Sequence, residues 1–244
     1  MGWPAQHIPL SPSEGLRERK KRLTRQQLSD AATAMFLERG FDAVRVAEVA
    51  AACGVSEKTV FNYFPTKEAL VLDRLETTLA SLRPGLADPG LPPVQAALAL
   101  LDRELGGMTS WLAGQDDPAQ ACEAVRRFGD MIRATPSLRA YQADMMDQFA
   151  SIAAEVLATR TGANADDPEP RIAARALLGL WHVQADSLRK HLDGGYSPAR
   201  LHEIVTTDVR RAARLIEAGL GTFGRPGTPA SVRPEPLPPA ATCA

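Results

Sequence analysis

Residues 46–64 read Val46-Ala47-Glu48-Val49-Ala50-Ala51-Ala52-Cys53-Gly54-Val55-Ser56-Glu57-Lys58-Thr59-Val60-Phe61-Asn62-Tyr63-Phe64. The stretch holds two short helical runs with one tight turn between them. Gly54 supplies the turn, because glycine takes a positive φ at no steric cost. Ala50 is small where two helices must approach closely. Val49, Val55 and Val60 are apolar at positions that face a shared core. Ser56 can cap the second helix with its hydroxyl. This is the layout of a helix-turn-helix, whose second helix enters the DNA major groove. An ordinary helical hairpin has the same spacing, so the flanking residues decide between the two.

On the N-terminal side, Leu28, Ala31, Ala32, Met35 and Phe36 recur at helical spacing behind a Thr24–Gln27 capping-box pattern. They predict an amphipathic supporting helix over residues 24–39. Before it stand Arg17, Arg19, Lys20, Lys21, Arg22 and Arg25, with Glu18 among them. On the C-terminal side, Tyr63-Phe64-Pro65-Thr66-Lys67 closes the unit. Residues 1–67 carry 10 Lys and Arg against 7 Asp and Glu, a net of +3; the remainder carries 18 against 22, a net of −4. A basic arm on a more acidic body is an electrostatic footprint for phosphate. Taken alone, the arm is equally a solvated charged tail.

Hydrophobic residues make up 45% of the 244 and charged residues 23%, which suits a globular chain and excludes disorder throughout. Aromatics are only 5%, and the abundant Ala and Leu favour helices. No uncharged apolar run approaches the roughly 18 residues of a membrane span. Residues 1–10 show no basic region followed by an apolar run, so no signal peptide is expected. Cys53, Cys122 and Cys243 lie far apart, with no metal or redox spacing. A reduced, cytoplasmic compartment is the expectation.

Proline-led starts mark the rest of the chain. Asp117-Pro118, Thr135-Pro136, Asp167-Pro168 and Ser197-Pro198 each put a capping oxygen before a proline at the first helical position. Thr66 opens Lys67-Glu68-Ala69-Leu70. Five body helices are predicted over residues 94–113, 118–134, 136–161, 168–193 and 198–219, after a Pro- and Gly-rich loop from Pro84 to Pro93. The expected fold is all-α. Its parts are a flexible basic arm (1–21), a three-helix DNA-binding domain (22–68), a helical effector-binding and dimerisation domain (69–220) and a disordered Pro-rich tail (221–244).

Residues 20–72 resemble the DNA-binding domain of the tetracycline-repressor-like (TetR) family. The matching motifs are Ala-Met-Phe-Leu-Glu-Arg-Gly-Phe (34–41), Val-Ala-Glu-Val-Ala (46–50), Cys-Gly-Val-Ser (53–56), Thr-Val-Phe-Asn-Tyr-Phe (59–64) and Lys67-Glu68-Ala69-Leu70. The resemblance implies a cytoplasmic homodimeric regulator of transcription, chiefly a repressor. It also implies three helices for DNA and a body that binds an effector and the second subunit. Family members often carry Thr at the start of the second helix, as a cap and a phosphate contact. Here Val44-Arg45-Val46 stands in that stretch. Arg45 can reach a phosphate but cannot cap.

Within the second helix of the motif, Val60 and Phe61 are expected to pack inward. Ser56, Glu57, Lys58, Thr59, Asn62 and Tyr63 are the candidates facing DNA. Lys58 can donate to guanine, Asn62 can pair with adenine and Thr59 can meet a thymine methyl. Glu57 either accepts from cytosine or simply favours the helix N-terminus. The resemblance assigns Tyr63 and Lys67 to phosphates. One short helix reads few bases, so two copies on a near-palindromic operator are expected.

In the body, residues 176–183 are apolar nearly all round and, with 198–219, are the expected dimer face, burial within one subunit being the alternative. Met108, Trp111, Phe128, Met131, Tyr141, Met145, Phe149 and Trp181 are the candidates for an apolar effector pocket. His182 and Asp186 lack a convincing third metal ligand, and no phosphate loop, nucleophile elbow or paired-carboxylate motif stands in the chain. No metal, cofactor or catalytic residue is therefore expected. A DNA-binding regulator without a small-molecule effector, and a helical protein-interaction module, remain the alternatives.

Overall fold

The computed structural model of the protein describes residues 15–220. The first part of the basic arm, the Pro-rich tail and Cys243 lie outside the described residues. The described residues form ten helices: α1 (Leu16–Arg39), α2 (Val46–Ala52), α3 (Glu57–Tyr63), α4 (Lys67–Val71), α5 (Asp73–Ala87), α6 (Pro93–Ala113), α7 (Pro118–Ala134), α8 (Pro136–Thr161), α9 (Pro168–Leu192) and α10 (Pro198–Leu220). The five body helices fall within a residue of the expected bounds. Ser56, Thr66 and Asp117 cap as their positions suggest, accepting from the backbone N–H of Thr59, Ala69 and Gln120.

Two boundaries differ from expectation. Helix α1 begins at Leu16, not at Thr24, so the basic stretch from Arg17 to Arg25 is helical rather than an extended arm. No proline or glycine interrupts residues 16–39, and the Arg, Lys, Leu and Gln that fill the start propagate a helix well. Helix α5 runs through Pro84 to Ala87, which shortens the expected loop. Pro84 lies in the last turn, so the bond it cannot donate to the Ala80 carbonyl is lost near the end of the helix. The bareness of Gly85 matters there: a Cβ would lie 2.7 Å from Leu100 Cδ2, so α5 and α6 approach closely at this point.

The head, α1–α4, has its own core. Leu28, Ala32 and Phe36 of α1 are buried at helical spacing against Val49, Val60, Phe64 and Leu70. Ala69 to Leu72 belong to this core, so the head reaches the chain bend at Leu72 rather than ending at 68. Gly54 has φ +67°, which makes the turn between α2 and α3 one that L side chains rarely adopt.

In the body, α6 packs on α5 and α10, and α9 packs between α8 and α10. Its core centres on Leu101, Leu112, Phe149, Leu157 and Leu177. Within the apolar segment expected at a dimer face, Leu177, Leu178 and Leu180 are buried within the chain itself, while His182 is exposed. A helix lying between two others must be apolar on more than one side. Leu215 of α10 is 78% exposed, and Ile172 of α9 is 63% exposed. No helix among the described residues is long and apolar enough to cross a membrane.

Head and body meet where α7 turns into α8. Leu138 of α8 is fully buried in the head's core, and Phe128, Met131, Ile132 and Tyr141 of α7 and α8 pack against that core. Arg127 also donates to the Leu37 carbonyl at the end of α1. Leu138→Ala should leave a cavity across this joint and cost about 2–5 kcal/mol. The check is a urea denaturation curve: its midpoint should fall at unchanged slope, and an unmoved midpoint would mean that the joint contributes nothing to stability.

Candidate nucleic-acid interface

Helix α3 is oriented by one buried side chain. Val60 is fully buried against the head's core, which turns the opposite side of the helix outward. Lys58, Phe61 and Asn62, at i, i+3 and i+4, share that outer side and are exposed. Phe61 therefore does not pack inward as expected; it is 46% exposed. Thr-Val-Phe places Val60 and Phe61 side by side in sequence, but neighbours on a helix point about 100° apart, and the core admits only one of them.

The hydroxyls of Ser56 and Thr59 lie 2.9 Å apart, and Ser56 also accepts from the Thr59 N–H at 3.1 Å. Their oxygens thus hold the helix start, which leaves the Thr59 methyl for an apolar contact. Glu57 is exposed in the first turn, where a carboxylate suits the helix dipole. Tyr63 is half-buried against the head's core, at the C-terminal end of α3.

Arg45 stands at the N-cap of α2, exposed, with no side-chain capping bond, as a side chain without an acceptor requires. Glu48 takes over the cap: its Oε2 accepts from the Arg45 N–H at 2.7 Å, and its Oε1 accepts from Arg39 Nη2 at 2.6 Å. Those bonds, the backbone one first, hold the Glu48 carboxyl below the usual carboxylate range. Lys67 is tied inward more than its expected phosphate role suggests. Its Nζ donates to the Phe41 carbonyl at 2.6 Å and lies 4.3 Å from the centre of the Phe41 ring. Burial pushes its pKa below the ordinary lysine value. One of the three ammonium donors is committed, and the others remain for a phosphate.

Arg25 overturns an expectation more fully. It reads as part of a phosphate-binding arm, yet its guanidinium points into the joint between head and body. Nε donates to Asp73 Oδ1 at 2.7 Å, Nη1 to the Tyr63 carbonyl at 2.9 Å and Nη2 to Glu76 Oε2 at 2.5 Å. Its Cζ sits 4.5 Å from the centre of the Phe64 ring. One side chain of α1 thereby ties the last residue of α3 to the first turn of α5. Nothing local announces this, because Asp73 is 48 residues away in sequence. Arg17, Arg19, Lys20 and Lys21 stay exposed on the first turns of α1.

The eight candidates for an effector pocket do not form one cluster. Phe128 and Met131 pack against the head's core, whereas Met145 and Phe149 are buried in the body's core. Met108, Trp111 and Trp181 pack on the outside of the body's core, and the Trp181 indole donates to Glu104 Oε2 at 3.1 Å. Tyr141 touches both cores. Each side chain follows the face of its own helix, and α7 is shared: Ala121 and Val125 lie in the body's core, whereas Phe128, Met131 and Ile132 pack against the head's.

Comparison with known proteins matches residues 28–73 to the family described as bacterial regulatory proteins, tetR family, and residues 94–220 to the MftR C-terminal domain. The chain is 28% identical over 169 residues to MftR of Mycobacterium tuberculosis, a regulator named for mycofactocin biosynthesis, covering 69% of this chain and 81% of that protein. It is 29% identical over 185 residues to the HTH-type transcriptional regulator TcmR of Streptomyces glaucescens, covering 71% of this chain and 79% of that one. Among solved structures, a TetR-family regulator of Streptomyces coelicolor overlays with a TM-score of 0.48 at 21% identity, over 84% of this chain and 98% of that one.

Burial raises the Asp73 pKa above its ordinary 3.8, and Arg25 opposes the rise. Arg25→Ala would leave a half-buried carboxylate without its partner, at a cost of about 1–3 kcal/mol after allowing for its partial exposure. A folded-state pKa above the unfolded one makes the ionised form a burden on the folded state. The loss should therefore be largest at neutral pH and shrink as the pH falls through the raised pKa. Denaturation curves of parent and variant across that range test this, and an equal loss at every pH would show that Asp73 is not the group left exposed to the deficit.

Proposed function

The chain belongs to the TetR family of bacterial transcriptional regulators, and from that premise we propose that it binds a near-palindromic operator as a homodimer and is released by a small-molecule effector. Members of this family are DNA-binding regulators rather than enzymes. The observation that carries the proposal is the exposed side of α3, where Lys58, Phe61 and Asn62 project away from the core that Val60 anchors.

Base readout falls to that face. Lys58 donates to guanine, Asn62 pairs with adenine, and the Phe61 ring and the Thr59 methyl meet thymine methyls. Ser56 serves by capping the helix that enters the groove. Arg45, Tyr63 and Lys67 serve phosphates, which set the register without reading sequence. Arg17, Arg19, Lys20 and Lys21 add charge along the same backbone. A helix of seven residues reads a short half-site, and a second copy doubles it. Exposed Ile172 and Leu215 on α9 and α10 are apolar surface that a second subunit would cover. The site of action is the cytoplasm, where the chromosome lies.

Selection from random duplexes followed by footprinting should return a near-palindrome protected over both halves; one asymmetric short site bound by a single protomer would refute the dimeric reading. Asn62→Ala should cost about 1–3 kcal/mol on the selected operator and little on scrambled duplex. Equal losses on both would put Asn62 on the phosphate backbone.

Neutral replacements of Arg17, Arg19, Lys20 and Lys21 should instead weaken binding to every duplex. They should flatten the salt dependence by about one unit of slope for each phosphate no longer neutralised. An unchanged slope would show these charges to be merely solvated.

A further inference from the structure

A groove of about 460 Å³ lies between α5 and α8. Its walls are two helix faces. Glu76 and Leu79 come from α5 at i and i+3; Tyr141, Asp144, Met145 and Gln148 come from α8 at i, i+3, i+4 and i+7. The volume suits a small organic molecule. The lining combines apolar side chains, one aromatic ring, one amide and two carboxylates, and it contains no Lys or Arg.

That composition selects the charge of an occupant. An anion would meet Glu76 and Asp144, and Arg25, the cation paired with Glu76, is already shared with Asp73. A neutral apolar molecule would take Asp144 and the exposed part of the Arg25-paired Glu76 out of water and offer no opposite charge in return. A cation satisfies both, and an aromatic ring in the wall adds attraction. The surroundings point the same way. Tyr141 stands in the field of Glu76, Glu68 and Asp73, opposed by Arg25; burial first, and these carboxylates after it, push its phenol pKa upward.

We propose that this groove binds an organic cation carrying a ring or short alkyl body. The charged head lies on Glu76 and Asp144, and the body lies along Leu79, Tyr141 and Met145. The regulatory consequence rests on the reading above, that the body of the protein senses an effector. Glu76 has two roles: it lines the groove and it accepts from Arg25. Its side chain is 40% exposed while so paired, so a ligand can reach it without unfolding the joint. A cation on Glu76 competes with Arg25 Nη2 and weakens the tie that runs through Arg25 to the Tyr63 carbonyl at the end of α3. Binding is thus coupled to the orientation of the helix that reads DNA, and the coupling is reciprocal: operator DNA weakens the cation's binding by the same factor.

The test uses the full chain and three probes of nearly equal shape: 4-phenylbutylammonium, 4-phenylbutanol and 4-phenylbutyrate. Calorimetric titration should show the ammonium binding at least about tenfold more tightly than the alcohol, with the carboxylate weakest. Glu76→Gln and Asp144→Asn should each reduce the ammonium's affinity several-fold and narrow its advantage over the alcohol. Asp144 lies outside the Arg25 tie, so its variant keeps the test informative if Glu76→Gln loosens the head; thermal transitions of both check folding. Equal affinity for the three probes, or ammonium binding unaffected by Asp144→Asn, overturns the site. Operator affinity measured in the same samples separates the two claims. Ammonium binding that obeys this pattern yet leaves operator affinity unchanged supports the groove and overturns its regulatory coupling. No ammonium binding by protein that still binds its operator overturns the groove and leaves the DNA-binding reading standing.

Discussion

Three donors of the Arg25 guanidinium are committed to the Asp73 carboxylate, the Glu76 carboxylate and the Tyr63 carbonyl. The orientation of the recognition helix depends on this junction. Val60 and Phe64 fix which side of α3 faces the core, but apolar packing gives a helix of seven residues little direction. Arg25 holds its far end. The planar fork spreads its donors over two carboxylates and a carbonyl, an arrangement that the compact point charge of a lysine would not match. The junction is half-buried, where such bonds are stronger than at an open surface.

A second connection runs beside the first and is apolar. Leu138 sits in the head's core although it belongs to the body, and Arg127 reaches the end of α1 from the neighbouring helix. The head is thereby held at two places by different physics. Apolar packing supplies attraction with little direction, and the Arg25 bonds supply direction. A change in the body that moves α5 relative to α8 acts on both, because Asp73 and Glu76 ride on α5 while Leu138 and Tyr141 ride on α8. The groove between these helices lies where a ligand would act on that relation.

Several side chains serve structure and surface together. Lys67 bonds the Phe41 carbonyl and lies over its ring, fastening the start of α4 to the turn after α1. Ser56 and Thr59, both candidates for facing DNA, close the start of α3 with their hydroxyls. At such positions a loss of DNA affinity and a loss of folding arise from one substitution. Lys58, Phe61 and Asn62 are better reporters of readout, since the core does not hold them.

The sequence alone determined the class of fold, the helix-turn-helix and nearly every body helix. Those features rest on local rules: the φ of Gly54, capping oxygens at Ser56, Thr66 and Asp117, prolines at first helical positions, and apolar spacing along α1. The motifs of residues 34–70 likewise carried the family. Local rules also misled where a second structure competed. Thr24 looks like a helix start, yet the helix simply passes through it. Tertiary structure decided the rest. It turned Arg25 from the DNA toward Asp73, turned Phe61 outward, and buried Leu177, Leu178 and Leu180 inside the chain. It also divided the eight effector candidates between two cores. Periodicity says that a helix has an apolar face. Which neighbour that face meets, and which distant carboxylate a guanidinium finds, depends on residues tens of positions apart that no local pattern encodes.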